Sequence, residues 1–258
     1  MIKSFIEAAG AQTVLFMQTM YWTIKSLRTG KFSFQNLINQ MSIIGVDSFL
    51  MVAISGFSLG AVLVVQIGFQ FANMGAQSYV GGVVALAMTR EIAPIMTAIV
   101  VAGRIGSSMA AEIGTMKITE QIDALETMAT NPVDYLVVPR FWGCTTMLFL
   151  LTVVSNAFGM VGGSITAIYQ IGLTFESFKD SILYLLKIQD LMGGLLKAII
   201  FGGIIAIIGC YIGFTTEGGA EGVGKSTTSA VVIAIMLIIA VNYFLTVGIT
   251  NFNNAYLQ

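Results

Sequence analysis

Long apolar runs dominate the chain, and their lengths carry information. Residues 49–72, 79–109, 141–168, 191–214 and 229–250 are mostly apolar. A helix rises about 1.5 Å per residue and needs about 20 such residues to cross a hydrocarbon core of about 30 Å, so the pattern predicts five transmembrane helices. Ahead of them, Ile2, Phe5, Ile6, Ala9, Phe16, Met20, Ile24 and Leu27 recur mostly at helical spacing, while Lys3, Glu7, Gln18, Lys25 and Arg28 fall largely elsewhere. This predicts an amphipathic helix over residues 1–28 that is too polar to span. Two placements fit it, in the membrane interface or packed on the protein itself. Glu7, Gln12 and Gln18 break up any signal-peptide core, so the segment is read as retained. A short apolar stretch at 32–45 leads to Asp47 and Ser48, residue types that favour the start of a helix. The expected fold class is an all-α membrane protein. It has an N-terminal interfacial amphipathic helix, five transmembrane helices and a short helix between spans two and three. The expected organisation is a single domain over 1–258, with 1–46 as interfacial or elbow helices and 47–258 as the five-span bundle.

Charge orients this bundle. Lys3, Lys25, Arg28, Lys31, Arg104, Lys117, Arg140 and Lys225 fall on one side of the spans, against Lys179 and Lys187 on the other. By the positive-inside bias the N-terminus is expected in the cytoplasm and the C-terminus outside. Lys197 is expected near a membrane end, reaching toward water. Gly56 and Gly60, Gly159 and Gly163, and Gly209 and Gly213 form small-residue pairs one helical turn apart, which let helices approach closely in lipid.

Composition removes other classes. Charged residues make up 10% of the chain, against roughly 25% in a soluble domain. Histidine is absent, which takes away the usual general base and the commonest zinc ligand. Cys144 and Cys210 lie in apolar runs, so neither a disulfide framework nor a metal site is expected. A net charge of −1 leaves no basic surface for nucleic acid.

Four features remain that bear on function. Arg90 and Glu91 lie well inside the second apolar run, where a charge costs on the order of 2.5–3.5 kcal/mol. Neighbours on a helix point about 100° apart, so each needs a partner other than the other. Pro94 follows and favours a kink. Gln66 and Gln70 share one face of the first span and are candidates for the same cavity as Arg90 and Glu91, or for the outer membrane interface. The segment 117–132, KITEQIDALETMATNP, has an apolar stripe at Ile118, Ile122 and Leu125 and an acidic face at Glu120, Asp123 and Glu126. Thr119 is its expected N-cap and Asn131-Pro132 its stop. A helix over 119–130 reaches only about 18 Å, so it is expected outside the membrane, gripped by a partner or simply solvated. Residues 219–226, GAEGVGKS, match the spacing of a phosphate-binding loop at Gly219, Gly224, Lys225 and Ser226. That loop needs a strand before it and a soluble α/β sheet around it, so a flexible glycine-rich connection is expected instead. Glu112 beside Gly114, and Arg104 beside Gly103 and Gly106, read as tight packing without chemistry.

Residues 89–140, with AGRIGSSMAAEIGTM, then TEQIDALETM, then NP-x-x-YLVVPR, closely resemble the signature of the MlaE-type ABC permeases of MCE-protein phospholipid transport systems. The segment 215–232, TTEGGAEGVGKSTTSAVV, also resembles that family, which often has arginine at the position of Lys225. The resemblance implies a single permease domain working as a homodimer. Each subunit would bind one cytoplasmic ABC ATPase, with a STAS-domain protein on the ATPases and a hexameric MCE protein on the periplasmic side. The cargo would be glycerophospholipid, moved between the inner membrane of a Gram-negative bacterium and periplasmic carriers, so that outer-membrane lipid asymmetry is maintained. No cofactor is expected on this chain; ATP and magnesium belong to the partner ATPase. Within the resemblance, Glu120, Gln121, Asp123 and Glu126 match the ATPase-coupling helix. Arg90 and Glu91 match a charged pair near the lipid cavity, with Gln66 and Gln70 as further candidates for that cavity. The competing reading is an ATPase-independent channel or secondary transporter that uses Arg90 and Glu91 as a relay. An enzyme is disfavoured, because no nucleophile-base or metal set is present.

Overall fold

The computed structural model describes residues 2–30 and 33–256, with side chains described at 7, 9–30 and 33–252; Lys31 and Phe32, and the side chains of Ile2, Lys3, Phe5 and Ile6, lie outside that description. Among the described residues the chain is helical throughout. Helix α1 covers Ile2–Thr29 and α2 covers Phe34–Asn73. Helix α3 runs over Gln77–Ile118, the short α4 over Gln121–Thr127 and α5 over Val133–Ile171. Helix α6 covers Phe175–Leu185, α7 covers Ile188–Phe214 and α8 covers Gly219–Tyr256. Five of these, α2, α3, α5, α7 and α8, are long and apolar enough to cross a membrane.

Each span is longer than its apolar run, because a helix continues past the hydrocarbon core as long as nothing breaks it. Asp47 and Ser48 were expected to open the first span but sit inside α2. No proline interrupts 34–73, so the helix starts earlier, where Ser33 Oγ accepts from the Asn36 amide at 3.4 Å. Residues 219–226 are likewise not a loop. They form the opening turns of α8, with Lys225 paired to Glu221 at 2.8 Å on an exposed face. Among the described residues no strand or α/β sheet precedes this helix, so the context a phosphate-binding loop needs is absent. Helix α6 was not anticipated; Thr174 Oγ1 caps it by accepting from the Ser177 amide at 3.2 Å.

The chain divides into two compact units, one made of residues 1–46, 101–147 and 200–240 and the other of 47–100, 148–199 and 241–258. In the first unit, α1 lays a hydroxyl-bearing face on α5. Thr19, Thr23 and Ser26 are buried, and Trp142 Nε1 donates to Thr23 Oγ1 at 3.1 Å. Val14, Met17, Tyr21, Ile24 and Leu27 stay exposed. This arrangement reconciles the two sequence placements: α1 packs on the protein and still presents an apolar face, as an interfacial helix requires. Gly202 lies against the Cys144 carbonyl, and Gly213 against Ile113.

In the second unit a core forms from Val64, Val80, Val84, Met88, Ala93, Ala167 and Phe178. Glycines set its helix spacing. A methyl group on Gly60 would collide with the Gly159 carbonyl, and one on Gly56 with the Ser155 backbone. Helix α6 closes this unit, with Ser181 Oγ accepting from the Gly82 amide at 2.9 Å. The expected small-residue pairs thus lie at real helix contacts.

Gly60→Ala should therefore lower the thermal stability of the purified protein by about 1–3 kcal/mol, through overpacking that backbone cannot relieve. Gly224→Ala, where a methyl group meets nothing, should cause no loss. A thermal melt in mild detergent reads both.

Candidate functional site

Helix α3 is not regular where it matters. Met88–Ile92 forms a π-turn, in which the Ala93 amide reaches back to the Met88 carbonyl. Pro94 supplies the reason. It has no N–H for the carbonyl four residues earlier, and its ring crowds that carbonyl, which belongs to Arg90. The kink expected from Pro94 is thus expressed as a bulge one turn upstream, a form often found at functional sites. The released Arg90 carbonyl finds another donor, Lys197 Nζ, at 3.0 Å.

From this bulge Arg90 and Glu91 point to different partners, as the helical angle between them demands. Arg90 Nε donates to Asp190 Oδ1 at 2.7 Å, and its Nη2 lies 2.6 Å from the same oxygen. Asp190 Oδ2 also accepts from the Lys187 amide at 3.0 Å, which holds the start of α7. The Asp190 side chain is buried, whereas that of Arg90 is 54% exposed. Glu91 Oε1 meets Lys197 Nζ at 2.6 Å, and its Oε2 accepts from Asn242 Nδ2 at 3.0 Å. Thr246 Oγ1 lies 2.8 Å from Lys197 Nζ and 3.0 Å from Glu91 Oε1.

Lys197 corrects the sequence reading. It was expected to reach a membrane end, but its side chain is 3% exposed. An ammonium buried this deeply is stable only when paired and hydrogen-bonded. Its three donors are met by Glu91, the Arg90 carbonyl and Thr246. Two cations and two anions thus neutralise one another within the bundle. Close approach of α7 to the bulge is what makes this possible: a methyl group on Gly194 would strike the Thr89 carbonyl.

Arg90, Glu91, Asp190, Lys197 and Thr246 line a cavity of about 160 Å³, together with Gln189, Gly193, Gly194, Ile249 and Thr250. Gln66 belongs to a separate, wider groove of about 680 Å³, lined with Val62, Ile165, Tyr169 and Gln170. Gln70 is exposed and is not among the residues lining either space. Asp190, Lys197, Asn242 and Thr246 are the polar residues of the site that sequence reasoning left unassigned. Their one signal was polarity within or beside apolar runs. Among the described residues, no cluster of three or more histidine, cysteine or acidic side chains is placed to hold a metal.

The family model described as Permease MlaE matches residues 37–248. This chain belongs to the MlaE permease family. A probable ABC transporter permease protein of Synechocystis sp. is 45% identical over 219 residues, covering 84% of this chain and 82% of the relative. One of Rickettsia typhi is 37% identical over 253 residues, covering 95% and 98%. A chloroplastic protein of Arabidopsis thaliana, named TRIGALACTOSYLDIACYLGLYCEROL 1, is 36% identical over 217 residues, covering 84% of this chain and 62% of its own. The chain is therefore a multi-pass permease of an ABC transporter, a transport subunit rather than an enzyme, and an ATPase is its partner.

The other candidate segment of this MlaE-family permease is α4. It is shorter than expected, at Gln121–Thr127. Thr119 does not cap it: its Oγ1 donates back to the Thr115 carbonyl at 2.8 Å and closes α3. The turn between the two helices passes through Glu120 in the left-handed region, at φ 58°. Glu120, Gln121, Asp123 and Glu126 are all exposed, and Ile122 is the buried foot. Asp123 pairs with Lys117 at 3.3 Å.

Breaking the Lys197 pair should cost more than removing it. Glu91→Gln strands a buried ammonium and should lower stability by about 3 kcal/mol, whereas Glu91→Gln with Lys197→Met should recover most of that loss. Thermal unfolding of the two variants against wild type checks the order.

Proposed function

We propose that this permease moves glycerophospholipids between the inner membrane of a Gram-negative bacterium and a periplasmic hexameric MCE protein, sustaining outer-membrane lipid asymmetry. It works as a homodimer with its N-terminus in the cytoplasm and its C-terminus in the periplasm, as one permease domain over 1–258. Each subunit engages one ABC ATPase, which carries the ATP and magnesium, and a STAS-domain protein sits on the ATPases. The observation that carries the reading is the Arg90–Asp190 pair. A half-exposed guanidinium is held against a polar cavity by one buried carboxylate, inside an otherwise apolar bundle. A lipid phosphate can accept from the exposed part of that guanidinium while Asp190 keeps its pairing on the buried side. The name of the Arabidopsis relative is that of a glycerolipid, which favours a diacylglycerol-based lipid as cargo.

Mechanism follows from the parts. Glu91, Lys197, Asn242 and Thr246 fix the bulge, so that Arg90 is presented to the cavity. Gln66, in its separate groove, and the exposed Gln70 are further polar positions proposed for the lipid path. ATP binding draws the ATPases together, and the exposed acidic face of α4, with Glu120, Gln121, Asp123 and Glu126, follows its partner. Because α3 continues from the α4 turn to the bulge, displacement at α4 reaches the residues that hold the headgroup.

Asp123→Lys tests the coupling half of this reading. Tagged permease purified in mild detergent should retain an ABC ATPase as wild type and lose it as the variant, with phospholipid retained by both, as read by mass spectrometry. A variant that keeps its ATPase in full would remove α4 from the contact.

A further inference from the structure

Among the described residues, one buried charge lies outside the cavity. Arg140, near the start of α5, is 4% exposed. Its Nη2 meets Glu112 Oε2 at 2.8 Å, and its Nη1 donates to the Leu136 carbonyl, also at 2.8 Å. Its Nε is buried without a hydrogen-bond partner. Glu112 stands on α3, where its side chain is 56% exposed. The whole of α4 lies between these two residues in the chain, so the pair closes the base of the loop whose tip is α4.

The chain bends sharply on either side of α4. Both ends of α4 turn through the left-handed region at residues that are not glycine, Glu120 at φ 58° and Ala129 at φ 57°. Such positions are strained and persist only when their surroundings hold them. On α4 the buried side chain is Ile122, and the Lys117–Asp123 pair is exposed to water and therefore weak. At the far end, Asn131 Oδ1 accepts from the Val133 amide at 2.9 Å and steadies the entry to α5. The charged link between the two flanking helices is the Arg140–Glu112 bridge, anchored on its buried side by the Leu136 carbonyl. Its guanidinium is planar and fixed in direction, as a rigid strut requires.

We infer that Glu112 and Arg140 form a clasp that makes α3 and α5 move together when a partner displaces α4, and that they are positioning residues for coupling ATP hydrolysis to transport. The inference rests on the reading of α4 as the ATPase contact. A bridge that served stability alone would change the amount of folded complex and nothing else. A clasp changes the yield of transport per ATP.

The test uses the whole transporter reconstituted in phospholipid vesicles, with a fluorescent phospholipid as probe and ATP hydrolysis measured on the same sample. Glu112→Gln should keep the ATPase bound and hydrolysing within about twofold, while lipid moved per ATP falls about tenfold. Glu112→Asp, which keeps the charge on a shorter arm, should fall between that variant and wild type. Wild-type lipid per ATP in Glu112→Gln overturns the clasp, and so does a loss that only tracks the amount of folded complex. If Glu112→Gln does not assemble, the aspartate variant decides: a yield a few-fold down supports the clasp, and an unchanged yield overturns it. Failure of the coupling reading looks different, because there Asp123→Lys keeps its ATPase.

Discussion

Charge compensation inside an apolar bundle is the constraint on which the second unit of this permease is built. Lys197 is buried in α7 and meets Glu91, and Asp190 is buried at the start of α7 and meets Arg90. Leaving either buried group unpaired costs several kcal/mol. The helices must therefore bring these residues together, and the glycines permit it. Gly194 lets α7 approach the bulge in α3, as Gly60 and Gly159 let α2 and α5 touch. The same constraint explains why Pro94 is tolerated. The carbonyl it frees is taken by Lys197, so the helix defect and the buried cation satisfy each other.

That arrangement leaves one charge less buried than the rest. All four side chains line one cavity, but those of Asp190 and Lys197 are buried and that of Glu91 is partly so, whereas that of Arg90 is half-exposed. A site of this kind can take an external anion on the exposed side of the guanidinium while the buried carboxylate stays paired on the other. Transport of a phosphate-bearing lipid asks for this property, because the headgroup must bind and then leave. α4 stands at the other end of α3, exposed and acidic, where a partner can reach it.

Much of this was legible in the sequence, and the gaps have physical causes. Five spans followed from apolar run length alone, but their ends did not. Residues 32–45 were read as a short apolar stretch of their own, ahead of a span opened by Asp47 and Ser48, whereas α2 runs through from Phe34 without a break. That Arg90 and Glu91 needed partners elsewhere followed from the helical angle between them. Which partners they would find did not, since Asp190 and Lys197 lie about a hundred residues on and are brought near by packing. Lys197 was read by its nearness to a span end, when its place in an apolar run was the better signal. Thr119 looked like a cap because capping residues at a helix start and closing residues at a helix end share the same chemistry. Gln66 and Gln70 share a helix face, and Gln66 lines a groove that is not the cavity at Arg90.

The most direct test of the central claim, that Arg90 receives the lipid headgroup, removes its charge without stranding Asp190. The Arg90→Gln/Asp190→Asn pair does this. In vesicles holding the full transporter, ATP-driven transfer of labelled phospholipid is measured against wild type. The expected result is transfer reduced about tenfold or more with the ATPase still bound, as loss of a charged phosphate contact of about 1.5–3 kcal/mol implies. Transfer at the wild-type rate would contradict it and reduce the four charges to a lock on the bundle.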